Sequence, residues 1–368
     1  MKNLVRKNIR EVTAYVAGKP IEETRRELGL KAIIKLASNE NALGPSPKAV
    51  AAIKKAAMDL NRYPDSQSFY LKKKLGRFLN VAPSNIVVGN GSDELIDIII
   101  KTFVERDENI VTADVTFLEY TILAQVNNRE VRTAPLKYFK FDLDALKKKV
   151  DAKTKLVFIA NPNNPTGTYV TRFELADFMK DLPEHVLVVL DEAYETFIDV
   201  DDFPKNSENF KNKQIITMKT FSKGYGLAGV RVGYLVANSE LVSYMERARQ
   251  PFNVNLLAQA GAMAAIDDKK FLKKTRNVIL EGKQYLYDEL SKLGISYVTS
   301  VSNFILIDVG RDCVCFFKDM LKFGVIVRDM KQYNLNTFVR VTIGTKKENE
   351  RFIKVLKKVV KAYAGGKA

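Results

Sequence analysis

Between Asn85 and Ala237 the chain repeats one pattern: a short run rich in Val and Ile, a polar turn, and often an amphipathic stretch. The runs are NIVVG, NIVTA, EVRTAPL, KLVFIA, VLVVLDE, QIITMKT and RVGYLVA. Segments this apolar predict strands buried on both faces. SDELIDIIIKTFV and TRFELADFMKDL carry apolar residues at helical spacing and supply the covering layers. Strand and helix in alternation predict a largely parallel sheet with helices on both sides. After about Leu256 the pattern changes. A long helix is predicted from about Lys269 to Leu293, then NFILIDV, the helical RDCVCFFKDMLKFG, VIVRD, FVRVTIG and a final helix whose end, KKVVKAYAGGKA, is expected to fray. That is a smaller α+β unit. The expected division is an arm over 1–45 that packs on the small unit, a large α/β unit over 46–255, and the small unit over 256–368.

Composition narrows the chemistry. At 46% hydrophobic and 28% charged residues the chain is an ordinary globular protein with a sizeable core. No apolar run is long enough to span a membrane, and the charged start MKNLVRKNIREV lacks the apolar centre of a signal peptide, so a cytoplasmic protein is expected. One histidine, His185, and two cysteines, Cys313 and Cys315, cannot build an ordinary zinc site or a disulfide framework. Both cysteines are expected in the core. The net charge of +16 is spread along the chain with no basic block interleaved with aromatics, so a solvated basic surface is expected rather than a nucleic-acid site. Proton transfer falls to Lys, Tyr, Asp, Glu or a cofactor.

Five segments carry candidate chemistry. GNGSDE (89–94) joins a strand to a helix. Its glycines permit a sharp turn, its free N–H groups suit a phosphate, and Ser92 or Asp93 is a candidate cap. ANPNNPTGTYV (160–170) is an irregular loop at the carboxyl end of a strand, where open α/β sheets bind ligands. Asp191 ends the apolar VLVVLDE, where a carboxylate needs a partner or caps a helix. Lys223 lies among Thr220, Ser222 and Arg231 in MKTFSKGYGLAGVRVGYL. It is either a solvated lysine or, with its pKa lowered, a Schiff-base former beside a phosphate cradle. Arg340 inside FVRVTIG requires an anion, from a substrate carboxylate or a structural ion pair.

Taken in this order the segments resemble the fold-type I pyridoxal phosphate (PLP) enzymes of the aspartate aminotransferase superfamily and, within them, the histidinol-phosphate aminotransferases. The resemblance covers nearly the whole chain, through LASNENALGPSPKAV, RYPD, GNGSDE, NPNNPTG, DEAY, TFSKGYGLAGVRVGY, NFILIDV, GVIVRD and RVTIG. It implies a mostly parallel seven-stranded sheet flanked by helices, a smaller α+β unit, and a homodimer with shared sites. It also implies roles. Lys223 bonds PLP covalently and shuttles a proton. Asp191 pairs with the ring nitrogen, Tyr194 and Asn164 bond the ring oxygen, and Phe117 stacks on the ring. Ser92, Asp93, Thr220, Ser222 and Arg231 hold the phosphate, joined by Tyr63 of the neighbouring subunit. Arg340 takes the substrate carboxylate and Arg328 the substrate phosphate. The chain departs from the family's frequent NENPYG at NENALG, where Leu43 cannot donate a hydrogen bond to that phosphate. This keeps an aromatic-amino-acid aminotransferase open as a rival. A threonine-phosphate-type decarboxylase and a PLP-sensing regulator are more distant readings.

Overall fold

The computed structural model describes residues 4 to 365. Seven strands form the main sheet: β1 (Ile86–Gly89), β2 (Asn109–Ala113), β3 (Glu130–Ala134), β4 (Thr154–Ala160), β5 (Leu187–Asp191), β6 (Ile215–Thr220) and β7 (Gly233–Val236). Their order across the sheet is β1-β7-β6-β5-β4-β2-β3. β7 is antiparallel to both neighbours, and the pairs among the other five adjacent strands are parallel. Six strands therefore point their carboxyl ends the same way. The alternation of each strand sorts side chains to two cores. Val87 and Leu235 join the layer of helix Ser92–Phe103, while Ile86, Val88, Tyr234 and Val236 pack with Leu71, Leu75 and Ala258 on the other face.

A second, antiparallel sheet is built from β8 (Tyr297–Val298), β9 (Phe304–Asp308), β10 (Arg328–Asp329) and β11 (Phe338–Thr342), in the order β8-β9-β11-β10. The helices Lys269–Lys292, Cys313–Lys322 and Lys346–Gly365 cover it, burying Leu286, Phe316, Phe352 and Leu356 against Ile305, Val339 and Val341. The expected end of the tail falls partly on 366–368, outside the described residues.

Three sequence expectations are corrected. The helix Leu256–Ile266 packs on the helix Pro47–Ala56 and shares the core of β1 and β7, so it belongs with the large sheet and the boundary drawn at 255/256 comes too early. The arm divides. Asn8 Nδ2 donates to Gln125 O at 2.7 Å, placing the helix Lys7–Glu11 against the large unit, whereas Ile34–Lys35 pairs in parallel with Val325–Ile326 of the small one. Of the two cysteines, Cys313 is buried but Cys315 is exposed, because residues two apart on one amphipathic helix point to nearly opposite sides. Among the described residues no helix is long and apolar enough to cross a membrane, and no cluster of His, Cys, Asp or Glu could hold a metal ion.

Candidate active site

The carboxyl ends of β1, β4, β5 and β6 open into a cavity of about 240 Å³ whose other wall is the second sheet and the segment 15–39. Asp191 is the last residue of β5 and is buried. Its Oδ2 accepts from the Tyr120 hydroxyl at 2.7 Å and its Oδ1 from Ala193 N at 3.1 Å. Burial pushes its carboxyl up to about 6, against the pull of those two hydrogen bonds. The next residue, Glu192, takes a different partner: it accepts from the buried Lys219 ammonium at 2.7 Å. Of these two adjacent acids only Asp191 lines the cavity.

Lys223 lies three residues beyond β6. Its ammonium donates to Ser38 O at 3.2 Å and stands 5.7 Å from the Tyr194 ring centroid. Burial and, after it, the nearby Arg340 cation push it down to about 8. Of the two readings left open by the sequence, the solvated lysine is therefore the poorer one. Tyr194 is buried and its hydroxyl accepts from Asn39 Nδ2 at 3.0 Å. Phe117 lines the cavity beside Asp191.

At the far end, Gly91 caps the helix Ser92–Phe103 at φ 85°, and neither Ser92 nor Asp93 acts as the side-chain cap, since Ser92 is already the first helical residue. A Cβ on Gly91 would lie 2.5 Å from Arg231 Nη2 and displace the guanidinium, and the positive φ would strain any other residue at this turn. Arg231, itself at φ 57°, pairs with Asp93 at 3.0 Å. With Ser92, Thr220 and Ser222 it encloses a pocket of donors at a helix start, the arrangement a phosphate requires.

The opposite wall holds two arginines. β10 and β11 place Arg328 directly across from Arg340. Both are buried. Arg340 donates to Asn164 Oδ1 and, at 2.9 Å, to Ala37 O, while its Nε finds no partner. Arg328 donates to Val16 O at 2.6 Å and to Gln332 Oε1 at 2.9 Å, above the Tyr15 ring. No carboxylate pairs with either among the described residues, so the structural ion pair considered for Arg340 is absent there. Like charges opposed on neighbouring strands repel. The pair calls for an anion from outside.

The structure thus brings together Lys223, Asp191, Tyr194, Asn164, Phe117, Ser92, Asp93, Thr220, Ser222, Arg231, Arg328 and Arg340. It does not bring in Tyr63, which is 82% exposed and stacked on Phe252 at 4.7 Å, nor Leu43, which is half-buried outside the cavity wall. Sequence reasoning missed Tyr120, Asn39, Ser38 and Tyr15. Ser38 and Asn39 stand inside the motif LASNENALGPSPKAV but without an assigned task, and Tyr120 lies three residues beyond the assigned Phe117.

Residues 31–356 match the family model described as aminotransferase class I and II. The chain belongs to this family. It is 45% identical to a histidinol-phosphate aminotransferase of Moorella thermoacetica over 96% of this chain and 92% of that one. It is 43% identical to histidinol-phosphate aminotransferase 2 of Carboxydothermus hydrogenoformans over 97% and 99%. Among solved structures it resembles the histidinol-phosphate aminotransferase of Sinorhizobium meliloti in complex with pyridoxal-5'-phosphate. That match has a TM-score of 0.89 and 27% identity, and covers 98% of each chain.

Proposed function

We propose that this aminotransferase binds PLP and interconverts histidinol phosphate and imidazole acetol phosphate, with glutamate and 2-oxoglutarate as the second pair. The carrying observation is the buried, acid-free pair Arg328 and Arg340 on opposed strands. A phosphate monoester brings nearly two charges to such a pair, and glutamate's two carboxylates together bring two. Phenylalanine and tyrosine bring one carboxylate and leave half of the pair unanswered, which disfavours the aromatic reading.

The cavity fits PLP. The Gly91–Arg231 cradle would receive the phosphate, the Asp191 carboxylate would pair with the ring nitrogen, and Tyr194 and Asn164 would offer groups to a ring oxygen. When bound, PLP supplies the electron sink that makes a substrate Cα–H acidic. Lys223 Nζ, pushed down to about 8 by burial and Arg340, is the group that would hold the cofactor and then carry the Cα proton. Asp191 keeps a negative charge at the ring nitrogen. Phe117 would stack on the ring face.

A homodimer belongs to this reading. Tyr63 and its sequence neighbours Met58, Leu60, Phe69 and Tyr70 are exposed apolar side chains that a second copy would cover, and from there Tyr63 would reach the partner's phosphate. Sedimentation at assay concentration checks it: a fully active monomer refutes it. A cytoplasmic location is also proposed, in keeping with the free thiols of Cys313 and Cys315.

The reaction is tested by mixing PLP-loaded protein with one amine at a time and following the cofactor's absorbance. Rapid bleaching by histidinol phosphate and glutamate supports the proposal. Bleaching by phenylalanine and tyrosine but not histidinol phosphate transfers it to the aromatic reading. Carbon dioxide release without a keto acid points to a decarboxylase.

A further inference from the structure

Tyr120 has no part in the roles above. It lies on the helix Glu119–Val126 with its ring fully buried, stacked on Phe158 at 4.8 Å and edge-on to Phe117 at 5.6 Å. A phenol in such a place must find a partner for its hydroxyl. The partner is Asp191 Oδ2, 2.7 Å away. The other carboxylate oxygen has Ala193 N, and no cation lies within ion-pair distance of Asp191 among the described residues.

We propose that Tyr120 is the positioning residue of Asp191: its ring is clamped by two phenylalanines, and its hydroxyl fixes the carboxylate and favours its anionic form, which sets how tightly the protein grips PLP. The proposal rests on Asp191 as the partner of the ring nitrogen. The groups facing Asp191 are Tyr120 from its own helix, Asp93 from the helix Ser92–Phe103, Glu192 and Tyr194 beside it in sequence, and Lys223 beyond β6. Burial raises the carboxyl to about 6, with a smaller push from Asp93, and the Tyr120 hydrogen bond is the largest opposing influence, ahead of Ala193 N and Lys223. Removing that hydroxyl leaves burial less opposed. The carboxyl then protonates at a higher pH, and the protonated form cannot pair with a cationic ring nitrogen. Grip on PLP is therefore lost as pH falls, and is lost earlier without the hydroxyl.

The test uses the full chain as wild type, Tyr120→Phe, Asp191→Asn and the double variant. Carbon-13 NMR of aspartate carboxyls in cofactor-free protein reads the Asp191 midpoint, and equilibrium dialysis reads PLP affinity against pH. Tyr120→Phe is expected to raise the midpoint and to weaken PLP binding at pH 7 by about ten- to a hundredfold, the scale of one hydrogen bond to a charged group. In the Asp191→Asn background the same change is expected to add less than about twofold, because its target is gone. Replacing tyrosine by 3-fluorotyrosine, a better donor of nearly the same shape, is expected to lower the midpoint, and covers the case in which Tyr120→Phe does not fold. An unmoved midpoint in both replacements, or an equal loss of affinity with and without Asp191, reduces Tyr120 to packing and overturns the proposal. If wild type binds no PLP, the functional reading fails, while the NMR midpoint still judges Tyr120.

Discussion

The floor and the far wall of the cavity are built on opposite terms. At the floor, on the ends of parallel strands, each functional group is held: Asp191 by Tyr120 and Ala193, Tyr194 by Asn39, Lys223 by Ser38. On the wall, Arg328 and Arg340 face each other without an acid, tied only to carbonyl and amide oxygens. On the proposed function, in which two substrates take turns with one cofactor, this division has a reason. The floor serves what stays, so its geometry is satisfied in advance. The wall serves what comes and goes, so its charge is left for the visitor to neutralise.

Breaking the floor is expected to have the largest effect. Lys223→Ala removes the nucleophile and proton carrier together, and turnover is expected to fall by roughly a millionfold, as for other covalent catalysts. Single-turnover assays measure it, and borohydride reduction of wild type is expected to fix the cofactor on Lys223. A label on another lysine would sink the assignment. Asp191→Asn keeps the shape but not the charge, and a loss of about a hundred- to a thousandfold in kcat is expected. Near-normal turnover would remove Asp191 from the reaction.

The wall is expected to respond more weakly and more selectively. Arg328→Ala is expected to lower kcat/KM for histidinol phosphate by about ten- to a hundredfold, with a smaller loss for tyrosine or phenylalanine. The ratio of the two values is the measurement. An unmoved ratio means that Arg328 binds no phosphate and returns the aromatic reading. Floor and wall also meet electrostatically. Burial and Arg340 both disfavour the charged Lys223 amine, so in cofactor-free protein its acylation is expected to rise through a midpoint near pH 8, read by peptide mass spectrometry. Arg340→Leu withdraws one of the two influences and is expected to move the midpoint upward. The smallest effect is expected at Leu43, outside the cavity wall: Leu43→Tyr should change the preference for histidinol phosphate over tyrosine by less than about threefold, below the roughly 1 kcal/mol of a neutral hydrogen bond. A larger gain would mean that residue 43 reaches the substrate.

The floor was the more legible half. A buried parallel strand announces itself by an unbroken apolar run, and a polar residue at its end, such as Asp191, stands out against that run. The register of β10 and β11 was not legible. GVIVRD and RVTIG each show an arginine, but nothing local says that Arg328 and Arg340 lie opposite each other. Tyr120 was hidden for a related reason. An aromatic on an amphipathic helix has the pattern of any core residue, and its partner is 71 positions away. The segment from Tyr15 to Asn39 shows a helical pattern only over Ile21–Leu28, so its place in the cavity follows only from tertiary contacts. The boundary at 255/256 erred because the helix Leu256–Ile266 is apolar on most sides, a pattern that does not say which sheet it covers.

That N-terminal segment also fixes when, during synthesis, the site can be completed. Leu36 N donates to Ile326 O at 2.7 Å, Thr342 N to Leu36 O at 2.9 Å, and Asn39 N to Thr342 Oγ1 at 2.9 Å, contacts that join residues about 300 positions apart. Such distant pairings are the slow ones in folding. A ribosome that has delivered β1 to β7 has made every strand of the floor, yet Ser38 and Asn39 still lack the strands that hold them over Lys223 and Tyr194. Lys223 therefore lacks the cover of Ser38 until almost the last helix emerges. In that interval the cavity has its floor but not its far wall.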